Sequence, residues 1–207
     1  MADARWNPDP FPHAIIDGLW PQDLLEAAAA EFPPPPDPRW VTYPQPQERG
    51  KRCGGPEMQG PVVRELMTLM QSDVQRDQLQ ELTGITGLVP SAVGGGMHMT
   101  GDGGRLAMHR DFNVLPGTDL ERRLNVLLFL NPEWDPAWGG VLYLGEDRQA
   151  AVLPLMNRMV VFECGPASWH GHPEPVTAGH WRKSVACYWY APPRGPIASH
   201  STIWQQG

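Results

Sequence analysis

The stretch "RRLNVLLFLN", Arg122 to Asn131, decides how the rest of the chain is read. Successive side chains of an extended strand point to opposite faces. Leu124, Val126, Leu128 and Leu130 therefore share one face, and Asn125, Leu127 and Phe129 share the other. Both faces are largely apolar, so the spacing predicts a central strand covered on two sides. Further strand patterns follow at short intervals: "GGVLYLG", "AAVLPL", "NRMVVFE" and "RKSVACYWYA", each bounded by turn residues. Strands in succession without intervening helices predict an antiparallel sandwich or barrel of jelly-roll shape. The 24 Pro and 22 Gly suit such a turn-rich chain.

Helical signals sit earlier. "WPQDLLEAAAAEF" has Pro21 near its first turn, Asp23 behind it and a stop at Pro33. "GPVVRELMTLM" opens on Pro61 and repeats Val62, Leu66 and Met70 at helical spacing, while "SDVQRDQLQELTG" offers Ser72 as a cap and Gly84 as a terminator. The polar, Pro/Gly-rich segment 33–60 between them predicts an irregular surface loop, with a lid over a cavity mouth as the alternative. The expected organisation is one domain: helical support and loop over 1–93, a jelly-roll core over 94–193, and a C-terminal tail over 194–207.

Composition narrows the partners. The 207-residue chain carries a net charge of −7. It has no basic stripe, since its densest pair, Arg122-Arg123, is too short; nucleic acid and membrane surfaces are not expected partners. No apolar run is long enough to span a bilayer, and the first residues lack a secretory pattern. Cys53, Cys164 and Cys187 are an odd, widely spaced set that suits reduced thiols, so a cytoplasmic location is expected. Gly94-Gly95-Gly96 lacks the Gly-Lys-Ser/Thr of a phosphate loop and predicts a turn or bulge.

The chemistry starts at "MHRDFN", Met108 to Asn113. His109 and Asp111 are two apart, so an extended backbone presents an imidazole and a carboxylate to one point. Alone, the pair is as well explained by a strand end bonding its turn. A metal needs a third donor, and "SWHGHPEPV" supplies two candidates, His170 and His172, which the same spacing puts on one face. Two histidines and one carboxylate suit non-haem Fe(II) with open positions. Arg182 opens a strand that otherwise buries Val185, Cys187 and Trp189. A guanidinium there needs an acidic partner, and a chelating organic acid would be one; the bland alternative is a surface salt bridge.

His109-x-Asp111, the distal His and Arg182 stand in the order of the Fe(II)/2-oxoglutarate dioxygenases, which the chain resembles, specifically their prolyl-4-hydroxylase-like branch. "RRLNVLLFLNPEWDPAWGGVLYL" and "PLMNRMVVFE" are similar to the family's flanking strands, and "PFPHAIIDGLWPQDLLEAAAAEFP" to its N-terminus. The resemblance implies a double-stranded β-helix with N-terminal supporting helices. It implies that His109, Asp111 and a distal His hold Fe(II), with His170 at the family's position and His172 lining the pocket. It implies that Arg182 pairs with the far carboxylate of 2-oxoglutarate, with ascorbate as a reductant. O2 would then convert 2-oxoglutarate to succinate and CO2 while a C–H of a peptidyl residue, amino acid or small natural product is hydroxylated. The intact Asp111 argues for hydroxylation over halogenation. Phe129 stands where the family often has Tyr, which leaves Asn125 or Tyr143 to contact the cosubstrate. A zinc hydrolase on the same ligands and a non-catalytic jelly-roll binding module are the rival readings. Trp169 beside a candidate ligand is the one tryptophan singled out; His13, His180 and His200 carry no functional expectation.

Overall fold

The computed structural model describes Met1 and residues 4–206. Its strands run in chain order as β1 (His13–Asp17), β2 (Val41–Thr42), β3 (Lys51–Gly54), β4 (Val89–Gly101), β5 (Leu106–Arg110), β6 (Glu121–Phe129), β7 (Leu142–Leu144), β8 (Ala150–Val152), β9 (Arg158–Glu163), β10 (His170–His172), β11 (Trp181–Ala191) and β12 (Ile203–Trp204). Seven form one sheet in the order β1-β9-β6-β11-β4-β3-β2, and five form the other in the order β12-β5-β10-β7-β8. The pairings are antiparallel. This is the expected jelly roll, and β6 is central in the larger sheet, between β9 and β11.

The two faces of β6 do different work. Leu124, Val126 and Leu128 join Leu25, Leu66, Met70, Leu79 and Trp189 in one core between sheet and helices. Phe129 turns the other way, into a second cluster with Leu142, Leu144, Val160 and Phe162. The helices α1 (Gln22–Ala30), α2 (Pro61–Met70) and α3 (Asp73–Thr83) lie where their signals predict. Ser72 Oγ accepts from the Gln75 N–H at 3.2 Å, and Gly84 closes α3 at φ +73°. One cap was hidden in the sequence. Glu31, just past α1, accepts from the Val62 and Val63 N–H groups at 3.0 and 2.8 Å, a carboxylate at the positive end of α2.

One expectation needs correction. Segment 33–60 is not simply irregular: β2 and β3 add to the edge of the larger sheet, with Lys51 opposite Thr100 and Cys53 opposite His98. Runs of two and four residues between prolines and glycines carry too little periodicity to be read as strands. Within the C-terminal tail, β12 pairs with β5, setting Ile203 against Arg110 and Trp204 against His109. Gly96 shows why the glycine run is there. At φ +101°, a Cβ on it would lie 2.6 Å from the Gly54 carbonyl oxygen, so β3 can approach β4 only past glycine.

Candidate metal centre

β5 and β10 are neighbours in the smaller sheet, and their register sets His109 directly opposite His170. Asp111 follows β5 immediately. The result is a compact set: ligand atoms of His109, Asp111 and His170 lie within 4.8 Å of one another. His109 Nε2 is 3.5 Å from Asp111 Oδ1, and His170 Nε2 is 3.5 Å from Asp111 Oδ2. Two donors about 2.1 Å from a shared ion at right or tetrahedral angles stand about 3–3.5 Å apart, so the set fits a transition metal.

The rings are already oriented for that task. His109 Nδ1 lies 2.9 Å from the Ala107 carbonyl and His170 Nδ1 lies 2.9 Å from the Ser168 carbonyl. A carbonyl only accepts, so each Nδ1 carries the proton and each Nε2 presents its lone pair to the centre. Burial, then the neighbouring His109, pushes the His170 pKa down to about 4, which keeps this imidazole neutral. Trp204 backs the His109 ring at 5.2 Å between centroids.

Asp111 is held from behind. Burial opposes its charge, yet Arg122, His170 and His109 together hold its carboxyl well below the usual range. Asn125 Nδ2 donates to Asp111 Oδ2 at 2.9 Å, and Arg122 Nη1 lies 3.0 Å from the same oxygen. Arg122 is 1% exposed and none of its guanidinium N–H groups is aligned as a hydrogen bond among the described residues. Its guanidinium sits instead between the rings of Phe112 and Tyr188, 3.8 and 3.9 Å from their centroids. Sequence reasoning dismissed Arg122 as half of a short basic pair. The available signal was its place at the mouth of an apolar central strand, the same rule that singled out Arg182.

Arg182 lines the cavity that also contains all three members of the set. Its Nε donates to the Gly140 carbonyl at 2.8 Å, and its guanidinium carbon stands 4.7 Å from the Phe129 ring centroid. Gly140, at φ +65°, is required there, since a Cβ would crowd Val176 and the Arg182 Cδ. No ion pair engages Arg182 among the described residues, and desolvation alone pushes its pKa down to about 9. A buried guanidinium so placed is suited to gripping a carboxylate in the cavity. The surface-salt-bridge alternative does not describe it.

The structure separates the two distal histidines. His170 joins His109 and Asp111; His172 stays outside that set but lines the same cavity, its Nδ1 without a partner among the described residues. Burial and then Arg182 keep His172 well below its usual pKa, hence neutral. Asn125 is in the cavity, bonded to Asp111, whereas Tyr143 is not and packs instead near Arg148. The phenol that does face the cavity is Tyr188, donating to the Gly94 carbonyl at 3.0 Å. It shares the period-two face of β11 with Arg182 and Ser184, a signal the sequence contained. Lys51, Thr100 and His98 also reach this cavity, from strands the sequence did not resolve into register.

Residues 95–191 match the 2OG-Fe(II) oxygenase superfamily. Among curated proteins, the prolyl 3-hydroxylase OGFOD1 of Mus musculus is 30% identical over 79 residues, 34% of this chain and 14% of that protein. Its Xenopus laevis counterpart is 34% identical over 87 residues, 36% of this chain and 17% of that protein, so both matches span a small part of the relatives. Among solved structures, a Pseudomonas putida prolyl-4-hydroxylase superposes with a TM-score of 0.64 at 22% identity, over 88% of this chain and 93% of that one. HygX from Streptomyces hygroscopicus, with nickel, 2-oxoglutarate and hygromycin B bound, gives 0.55 at 15% identity over 87% and 82% of the two chains. These structures share the fold of this chain.

Proposed function

We propose that the protein is a hydroxylase that uses Fe(II), 2-oxoglutarate and O2, releases succinate and CO2, and oxidises an unactivated C–H of a peptidyl residue, amino acid or small natural product. One observation carries this reading: a two-histidine, one-carboxylate set and a buried guanidinium with no acidic partner among the described residues line one cavity. The iron, when bound, supplies the oxygen chemistry. The chain's own residues do the rest. His109, Asp111 and His170 hold the ion, with both tautomers fixed by backbone carbonyls. Arg182 grips the far carboxylate of 2-oxoglutarate, and Phe129 supports the guanidinium with its ring face where a phenol is common in the family. Leu127 and Leu142 line the cavity and reduce its water content.

The oxygenase domain and the donor set favour this reading over a zinc hydrolase or a binding module. We read 1–207 as one dioxygenase domain, supported by a core that mixes helix residues with β6 and β11. We place it in the cytoplasm because its three cysteines are free; no helix among the described residues is long and apolar enough to cross a membrane. The prolyl hydroxylases among its relatives make a peptidyl proline the first substrate to try. The test is succinate formation: release that requires Fe(II), 2-oxoglutarate and O2 together supports the reading, and hydrolysis that requires only zinc rejects it.

A further inference from the structure

A second cavity, of about 290 Å³, shares Asp111 with the first but is not lined by Arg182. It opens between the turn after β9 and the segment after β11, and Arg110, Arg122 and Arg194 all line it. Two of these guanidiniums are committed within the protein. Arg122 faces Asp111, while Arg194 is paired with Glu121 at 2.6 Å and with Glu163 at 2.9 Å. Arg110 has no carboxylate partner among the described residues. Its Nη1 donates to the Pro166 carbonyl at 2.9 Å, its Nε is buried without a partner among the described residues, and its guanidinium carbon stacks 4.7 Å from the Trp169 ring centroid. The group is thus held in place by a ring and one hydrogen bond, with donors left over. With Arg123, which also pairs with Glu121 and Glu163, the four cations around this wall face three carboxylates, Asp111, Glu121 and Glu163, and the charge left without an acid is that of Arg110.

We propose that this cavity is the acceptor subsite and that it selects an acceptor bearing a carboxylate, which Arg110 binds. A planar guanidinium already ordered on a ring loses little freedom on forming charge-assisted hydrogen bonds, so it discriminates an acid from its amide. Arg110 points away from His109 and Asp111 on the strand, but Asp111 lines this cavity as well as the one that holds Arg182, which places the two cavities side by side. The assignment rests on the oxygenase reading for the word acceptor, but its charge preference does not.

The experiment uses the full chain loaded with Mn(II) and saturated with 2-oxoglutarate, so that Arg182 is occupied, and follows tryptophan fluorescence during titration. The probes are N-acetyl-glycine against N-acetyl-glycinamide, and acetyl-Gly-Asp-Gly-amide against its Asn counterpart. The expected result is a preference of about ten-fold or more for the acid in at least one pair, shrinking with added salt. Preference in the first pair points to a small acid, and in the second to an acidic side chain of a peptide. Arg110→Gln should abolish the preference while still holding manganese stoichiometrically, and Arg110→Lys should keep part of it. Equal affinity for acid and amide in both pairs overturns the proposal, as does a preference that survives in metal-loaded Arg110→Gln. Should Arg110→Gln fail to hold metal, the native comparison and its salt dependence still decide. Acid preference without any succinate release would leave the subsite standing and remove the oxygenase reading; succinate release without acid preference would do the reverse.

Discussion

Arg122 and Arg182 are both buried, both enter a jelly-roll cavity from a strand of the larger sheet, and both lie against aromatic rings. They differ in what balances their charge. Arg122 has Asp111 at 3.0 Å, and the pairing drives its pKa up despite burial. Arg182 has a carbonyl and a ring, and burial drives its pKa down. The same rule, that a desolvated cation needs an anion, therefore gives two conclusions. At Arg122 the anion is part of the protein; on the proposed function, the anion at Arg182 arrives with the cosubstrate.

Removing the shared centre is the harshest way to break this contrast. Asp111→Ala should abolish hydroxylation and iron binding. It should also destabilise the fold by about 3 kcal/mol, because Arg122 is left charged and unpaired in the interior. Iron stoichiometry and thermal unfolding check both parts. His170→Ala should lose iron as well, whereas His172→Ala should keep iron and change turnover; the opposite stoichiometries would exchange their roles.

Arg182→Lys comes next. It keeps charge but loses the fork, so the requirement for 2-oxoglutarate should rise by tens- to a hundred-fold, about 2–3 kcal/mol, with iron affinity nearly unchanged. An unchanged 2-oxoglutarate titration means that Arg182 is not the clamp. Arg122→Met should show the mirror image, with iron affinity down by about ten-fold and 2-oxoglutarate dependence little altered. It also has a pH signature. Arg122 is among the groups that depress the Asp111 pKa, so without it the carboxyl protonates at higher pH, and the acid limb of iron binding should move upward. Iron retention measured from neutral to acid pH reads that displacement directly. The smallest effect is expected for Asn125→Ala, which removes one hydrogen bond to Asp111 and should weaken iron binding several-fold, about 1 kcal/mol.

How much of this could be read from the sequence depends on the range of the signal. The two-faced alternation of Leu124 to Leu130 is local and marks β6 as central; the caps at Ser72 and Gly84 are equally local. His109, Asp111 and His170 were expected together, and the β5–β10 register brings them to one point. The choice of His170 over His172 depends on that register, since both share a strand face. What stayed hidden is set by long-range pairing. β3 and β12 are short strands whose partners lie far along the chain, so neither Lys51 in the cavity nor Trp204 against His109 has a local signature. Tyr188 and Arg122 had local signals that composition-level reasoning passed over.

The most direct test of the central claim, that the metal set and Arg182 serve one chelated cosubstrate, is an anaerobic titration of 2-oxoglutarate into the Fe(II)-loaded protein, followed by visible absorption. A 2-oxo acid chelating ferrous iron gives a charge-transfer band. The account predicts that the band grows to saturation in the native protein, needs tens-fold more 2-oxoglutarate in Arg182→Lys, and is missing in Asp111→Ala. Iron bound stoichiometrically with no band on adding 2-oxoglutarate, or a titration that Arg182→Lys leaves unmoved, would contradict it.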